Sequence, residues 1–251
     1  MLTSTYIHMP RIGTTVEKRI WSNGIRTWDE FMARRDELLI SPAKKDMIMT
    51  GIRESVERLE SRDFEFFASS LPKAEHWRAF REFSDKVAYV DIETTGLSPS
   101  SSSITVVGIY DGKEAKTFVK GIDMDDIVDI LPEYEFLVTF NGARFDLPFI
   151  KREYPEIEFN QLHADLMYPL RRIGLTGGLK KIECELGISR AEETVGISGF
   201  DAVRLWYQYE RGDEDALDLL LKYNCEDIVN LKTIIDLTLS RFIDDKFSEC
   251  I

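Results

Sequence analysis

Asp91 and Glu93 stand two residues apart at the end of the run Lys86-Val87-Ala88-Tyr89-Val90-Asp91-Ile92-Glu93, which is rich in β-forming residues. On a strand that spacing turns both carboxylates to one face. Two carboxylates held close together repel each other unless a cation lies between them, and an all-oxygen site suits a hard divalent ion such as Mg2+ or Mn2+. Thr94-Thr95-Gly96 breaks the strand just after the pair and leaves it open to a ligand. Asp146 follows the apolar run and Asn-Gly turn of Phe140-Asn141-Gly142-Ala143-Arg144-Phe145, so it falls in the first turn of a helix. Tyr223 and Asp227 are four apart on the longest helical segment and share a face. Singly, each element has a simpler reading. Asp-x-Glu arises often in an acidic chain, and an aspartate in a first helical turn is a dipole partner or cap. Tyr223 with Asp227 reads alone as a half-buried tyrosine beside a solvated aspartate.

The elements that must position these residues follow from apolar periodicity and turn signals. Strands are expected at 86–93, 104–110, 115–120, 135–140 and 162–165, and helices at 123–131, 144–153 and 214–241. Asp111-Gly112 marks a hairpin between the second and third strands. The serine run 98–103, interrupted by Pro99, reads as a hairpin loop. Three strands in a meander followed by alternating helices and strands predict an α/β sheet covered by helices. The core stripe of the last helix runs through Leu217, Leu220, Leu221, Ile228, Leu231 and Ile235, with Tyr223 and Asp227 on its border. Ahead of the sheet, residues 1–35 form an apolar and basic unit, and residues 36–80 read as helix through Met47, Ile52, Val56, Leu59 and Phe64. The expected division is a helical N-terminal region at 1–80 and an α/β domain at 81–251.

At 43% apolar and 31% charged, the 251 residues read as an ordinary globular chain. No stretch approaches the roughly 20 apolar residues that cross a bilayer, and the start lacks the charged-then-apolar order of a secretory signal, so no membrane association and a cytoplasmic location are expected. Cys184, Cys225 and Cys250 have no metal-ligand spacing and read as reduced thiols. The net charge of −13 is unevenly spread. Residues 1–80 hold 13 lysines and arginines against 12 acids, whereas the other 171 hold 19 against 33. Such acidity argues against tight electrostatic binding of long nucleic acid, and bound divalent ions would neutralise part of it.

Taken together and in order, Asp91-Ile92-Glu93-Thr94-Thr95-Gly96-Leu97, then Asn141-Gly142-x-x-Phe145-Asp146-x-Pro148, then Tyr223-x-x-x-Asp227 resemble the three exonuclease motifs of the DEDD (DnaQ-like) superfamily over about residues 84–241. The resemblance implies a ribonuclease H-like mixed sheet flanked by helices. It also implies two divalent metal ions, Mg2+ or Mn2+, held by Asp91, Glu93, Asp146 and Asp227, and release of nucleotides from the 3′ end of single-stranded DNA or RNA. One branch of the superfamily carries a histidine five residues before the last aspartate. Here that position is Lys222, and Tyr223 stands four before it, so the chain resembles the tyrosine branch. Tyr223 would orient the attacking water rather than take its proton, since a phenol with a pKa of about 10 is a poor base at neutral pH. Thr94, Leu97, Asn141, Arg144 and Phe145 are the implied substrate contacts, Leu97 as a wedge against a terminal base. Asn141 serves equally as a turn former with Gly142. Asp165 reads as a helix N-cap, with support of the metal ligands as the alternative. Arg171, Arg172, Lys180 and Lys181, flanking a glycine-containing loop, divide evenly between phosphate contacts and helix-end cations.

The segment His8-Met9-Pro10-Arg11-Ile12-Gly13-Thr14-Thr15-Val16-Glu17-Lys18-Arg19-Ile20-Trp21-Ser22-Asn23-Gly24-Ile25 resembles the hairpin and second helix of a helix-hairpin-helix element, with Arg11 where a glycine is usual. Residues 1–26 carry Arg11, Lys18, Arg19 and Arg26 against Glu17 alone, which suits a phosphate neighbour or a protein partner. Trp21, Ile25, Trp28 and Phe31 read as a small core. Three further readings compete with the exonuclease: an endonuclease using the same fold and metals, against which the tyrosine-type third motif argues; a non-catalytic nucleic-acid-binding or scaffold module on the same fold; and a nuclease that clears short oligonucleotides.

Overall fold

The computed structural model describes residues 1–98 and 100–249. Pro99 of the serine run and Cys250 lie outside the described residues. Five strands form one mixed sheet: β1 (Val87–Thr94), β2 (Ile104–Tyr110), β3 (Ala115–Val119), β4 (Phe136–Thr139) and β5 (Leu162–Asp165), in the order β3-β2-β1-β4-β5. The meander β1–β2–β3 is antiparallel, while β4 and β5 join parallel to β1. Each observed strand agrees with its expected span to within a residue or so: a sheet covered on both faces makes its inner strands near-continuous apolar runs, with successive side chains packing into opposite layers. Val87 and Tyr89 join one hydrophobic cluster, and Ala88, Val90 and Ile92 join the other.

Helices close both faces. N-terminal to the sheet come α1 (Thr14–Ser22), α2 (Trp28–Arg34), α3 (Pro42–Glu60), α4 (Phe64–Ser70) and the single turn α5 (Phe80–Phe83). Within and after the sheet come α6 (Ile127–Ile130), α7 (Asp146–Glu153), α8 (Met167–Arg172), α9 (Leu179–Glu185), α10 (Gly199–Tyr209) and α11 (Glu214–Ser248). Two departures from expectation have a packing cause. Residues 36–80 do not form one helix: α3 stops at Ser61, Arg62 adopts a left-handed φ of 56°, and Pro72 precedes a 3-10 segment over Lys73–Ala79. The last helix runs on to Ser248 because Phe242 is buried and Phe247 packs edge-on to Trp21 at 5.1 Å, so the N-terminal region supplies a partner for its final turns.

Residues 1–80 and the sheet share one continuous hydrophobic core that includes Trp21, Trp28, Phe31, Phe67, Phe136 and Ile235. Trp21, Ile25, Trp28 and Phe31 are all buried. A salt bridge between Arg78 and Glu17 at 3.0 Å, each side chain 1% exposed, fastens α1 to the 3-10 segment that covers β5. The β5 backbone N–H of His163 donates to His76 Nδ1 at 3.1 Å, so an imidazole satisfies an edge group of the sheet. No helix among the described residues is long and apolar enough to cross a membrane.

Candidate functional site

The site forms where β1 outruns β4 while still paired with β2. Asp91 and Glu93 point to the face that α11 covers, the face also used by Val87 and Tyr89. Opposite Asp91 on β2 is Gly108. A Cβ there would lie 2.1 Å from Asn224 Oδ1, so the missing side chain lets α11 approach closely enough for Asn224 Nδ2 to donate to Asp91 Oδ2 at 3.1 Å and to the Asp91 carbonyl at 3.3 Å. Register between β1 and β2 shifts after Glu93, and Thr94 pairs with Ile104. This irregularity opens the strand end. The Thr94 hydroxyl donates to the Gly96 carbonyl at 2.7 Å and fixes the turn that follows.

Pairing of β1 with β4 ends at Tyr89 and Val138. The Ile92 N–H in the overhang donates to Asp146 Oδ1 at 3.2 Å, tying the first residue of α7 to the strand that carries Asp91 and Glu93. The turn delivering Asp146 is held by Asp165, which accepts from Asn141 N at 2.7 Å, Ala143 N at 3.1 Å and Met167 N at 3.2 Å. Asp165 is therefore chiefly a clamp on this turn, more than the helix cap that its position suggested. Asn141 takes a left-handed φ of 65°, and a Cβ on Gly142 would lie 2.3 Å from Thr139 Oγ1. The Asn-Gly pair is what the bend demands.

From α11, Tyr223 and Asp227 reach the same place, both buried. One carboxylate oxygen from each of Asp91, Glu93 and Asp227 lies within 4.8 Å of the others. Asp146 stands beside this trio, buried on the wall of the same cavity, but outside that three-residue group. The cavity holds about 700 Å3. Its wall includes all four carboxylates and Tyr223, with Thr94, Leu97, Asn141 and Phe145. Arg144 is the exception among the expected substrate contacts: its side chain is exposed and does not line the cavity.

Electrostatics in the site are dominated by burial. Desolvation, then repulsion from Asp227, Asp146 and Glu93, raises the Asp91 carboxyl well above the usual range, against a counteracting hydrogen bond from Asn224. Glu93 is raised for the same first cause, with Asp227 next and Lys180 opposing. Burial pushes Asp146 up to about 7, against backbone hydrogen bonds including that from Ile92. Asp227 is raised by burial and held back by Arg190. The Tyr223 phenol is raised by burial and by Asp227, so it stays protonated. Carboxylates this crowded and desolvated are a donor set that a hard divalent cation stabilises.

Two cations complete the site. Lys180 donates to the Tyr223 hydroxyl at 2.7 Å and sits 4.1 Å from the centre of its ring. Arg190, absent from the sequence reading, donates to both oxygens of Glu183 at 2.6 and 2.7 Å and to Asp227 Oδ1. Of the four basic residues around the glycine-containing loop, only Lys180 comes here. Arg172 is bound to Glu75, Asp245 and Glu249, and Lys181 to Glu185, while Arg171 is exposed. Nothing local marks Arg190, since its loop approaches α11 only in the folded chain. Asn224 did carry a signal: with Ile228, Leu231 and Ile235 it falls on the apolar stripe of the helix, where a polar residue needs a buried partner.

A family model of the RNase H superfamily (RNase_H_2) matches residues 88–239. No curated protein sequence matches the chain significantly. Among solved structures, the family B DNA polymerase of the hyperthermophilic archaeon Pyrobaculum calidifontis aligns with 61% of the chain at 16% identity and a TM-score of 0.51. The chain spans 24% of that polymerase. Brucella melitensis NrnC bound to pGG aligns over 68% of the chain and 80% of its own at 19% identity and a TM-score of 0.45. A protein described as the apo form of a nuclease aligns over 70% and 81% at 18% identity and 0.46. At these identities the likeness is one of fold.

Proposed function

The chain belongs to the RNase H superfamily, and on that footing we propose that it is a two-metal-ion 3′–5′ exonuclease of the tyrosine DEDD branch, acting on single-stranded DNA or RNA. The observation that carries this reading is the meeting of Asp91, Glu93 and Asp227 oxygens within 4.8 Å, in a cavity that also contains Asp146 and Tyr223. Asp91, Glu93, Asp146 and Asp227 are the residues to hold Mg2+ or Mn2+. Bound there, such ions would neutralise phosphate charge and make a water easier to deprotonate.

The remaining work falls to the protein's own groups. The protonated Tyr223 hydroxyl aims the attacking water by hydrogen bonding, with Lys180 2.7 Å away fixing the phenol oxygen and adding positive charge where a phosphate would enter. Asn224 and Arg190 hold Asp91 and Asp227 in place. Thr94 fixes the turn bearing Leu97; Leu97, Asn141 and Phe145 then form the walls against which a 3′-terminal nucleotide rests. Arg144 is kept as a contact to the outlying strand, beyond the cavity.

Residues 1–80 are proposed as a helical region that recruits nucleic acid or a protein partner, and residues 81–251 as the catalytic domain, in a cytoplasmic protein. A helix-hairpin-helix reading of the N-terminus is supported by Arg11, whose φ of 63° matches the backbone that glycine usually supplies, and by Gly13 as N-cap of α1. The test is mononucleotide release from a single-stranded oligonucleotide in Mn2+ or Mg2+. Wild type is expected to release mononucleotides and Asp146→Asn to lose at least a hundredfold in rate; equal rates would remove the site from the reaction.

A further inference from the structure

Two further cavities follow the edge strand β5 away from the catalytic one. The nearer, of about 240 Å3, is walled by Ala164 and Asp165 of β5 and by Ala143 of the turn that delivers Asp146. The farther, of about 620 Å3, lies beside Gln161, just before the strand begins. Lys73 and His163 stand on the walls of both. We propose that the pair forms a groove for the single strand upstream of the 3′ end, so that the N-terminal region holds the body of the substrate while the catalytic cavity holds its terminus. This rests on the nuclease reading above and deepens it by assigning the substrate class: strands of several nucleotides rather than dinucleotides.

The way between the two sites crosses a single turn. Asn141 and Phe145 line the catalytic cavity, Ala143 lines the nearer groove cavity, and Arg144 between them is exposed. A strand leaving the carboxylates passes over this turn, beside an arginine, and comes down along β5. One wall of the groove is built by residues 58–77, which lie ahead of the segment that the superfamily model matches. The other is built by the sheet and by the connection from α7 to β5.

The lining suits nucleotides. Phe66 on one wall and Phe159 on the other are half-buried rings, a platform on which any base can stack. Gln161 is 7% exposed; its Nε2 donates to the Leu131 carbonyl at 3.2 Å, whereas Oε1 has no partner among the described residues. A buried acceptor left over on a cavity wall is met by a donor such as the amino group of a base. Lys73, where the two cavities meet, is exposed and forms no ion pair among the described residues. Burial, then His76 and Lys73, lower the neighbouring His163 imidazole to about 3 and keep it neutral. A free ammonium there has a phosphate as its natural partner. Of the acids on the walls, Asp63 is paired with Arg58 at 2.7 Å, Asp165 is engaged by backbone N–H groups, and Glu65 is exposed. The catalytic cavity wall, by contrast, contains four acids and neither lysine nor arginine. Residues 81–251 hold 33 acids against 19 basic residues, whereas residues 1–80 hold 12 against 13. The N-terminal side is where a polyanion meets least repulsion.

The experiment measures binding, separately from turnover, in an Asp146→Asn background with Mn2+ present, by competition anisotropy with single strands from dinucleotide to octanucleotide. The octanucleotide should bind more tightly than the dinucleotide by on the order of tenfold or more, and Phe159→Ala should lose about fivefold or more of that gain, the range of one lost stack. Lys73→Ala, a surface change, should flatten the log–log salt dependence for the octanucleotide by about 0.7, one single-strand phosphate contact. Lys116→Ala, on the opposite edge strand β3, should not. A photoreactive thiouridine placed upstream should cross-link to residues 58–77 or 159–168, and one at the 3′ end to the catalytic cavity. Equal affinity for the two lengths, an unchanged salt slope in Lys73→Ala, an equal change in Lys116→Ala, or upstream cross-links elsewhere overturns the assignment. So does a free mononucleotide that fills the groove as tightly as the octanucleotide. If wild type degrades oligonucleotides while any of these results is found, this inference alone fails; if no oligonucleotide binds or is degraded, the nuclease reading fails with it.

Discussion

Replacing Arg190 with methionine tests how the buried charge in the site is balanced. The guanidinium is 6% exposed and binds Glu183 and Asp227, whose side chains are 2% and 6% exposed, with Glu226 Oε2 at 3.8 Å. Methionine keeps much of the length and apolar contact but removes the charge. Glu183 retains Asn230 Nδ2 at 3.0 Å; Asp227 loses the guanidinium that donates to its Oδ1. Breaking a buried pair from one side costs about 3–5 kcal/mol, a large share of the roughly 5–15 kcal/mol that holds a domain folded. Two carboxylates share this cation, so their losses do not simply add. The penalty also depends on pH. Burial already raises the folded-state pKa of Asp227, and losing Arg190 raises it further. A carboxyl with a raised folded pKa destabilises the fold fully above that pKa and not at all below its unfolded value near 4. Urea unfolding in EDTA should therefore show Arg190→Met about 3–5 kcal/mol less stable at pH 7.5 and closer to wild type at pH 5, with Arg190→Lys intermediate. A deficit below about 1 kcal/mol at pH 7.5, or one identical at both pH values, would refute the claim that Arg190 holds the carboxylates.

Two further perturbations reach the fold and the site from other directions. His8 Nε2 meets Ser55 Oγ at 2.7 Å, and burial, then Arg78, lowers its pKa to about 4. Since that lies below the unfolded value near 6.5, the stability is present above pH 6.5 and is lost as pH falls towards 4, up to about 3 kcal/mol at 1.36 kcal/mol per unit; His8→Gln should flatten the difference in acid unfolding, and parallel pH curves would contradict it. Gly108→Ala places a Cβ against Asn224 Oδ1 and should push Asn224 off Asp91, at about 1–3 kcal/mol in urea unfolding and with weaker Mn2+ binding by calorimetry; an unchanged midpoint and affinity would show that α11 does not rest on this glycine.

Local signals sufficed for the elements that bear the motifs. Period two placed Asp91 and Glu93 on one face of β1, a strand running into Asn141-Gly142 placed Asp146 at the start of α7, and a spacing of four placed Tyr223 with Asp227 on α11. What escaped was set by contacts between distant segments. Arg190 acts across 37 residues on Asp227, and Lys180 across 43 on Tyr223. The N-terminal region shows the same limit. Its aromatic residues were legible as a core, but the pairing of Glu17 with Arg78, the His76 cap on β5 and the docking of the last turns of α11 require the assembled tertiary structure. The direction of the Arg144 side chain, outward from the cavity, was likewise not legible, because a place within a motif does not say which way a side chain turns.

The central claim is tested most directly by following one single-stranded oligonucleotide labelled in turn at its 3′ and 5′ ends, as DNA and as RNA, with Mn2+ and with EDTA. The account predicts immediate loss of the 3′ label as mononucleotide, a descending ladder from the 5′-labelled strand, no reaction in EDTA and none with Asp227→Asn. Internal cuts appearing first, shortening from the 5′ end, or no metal-dependent cleavage of either polymer by a folded protein would contradict it.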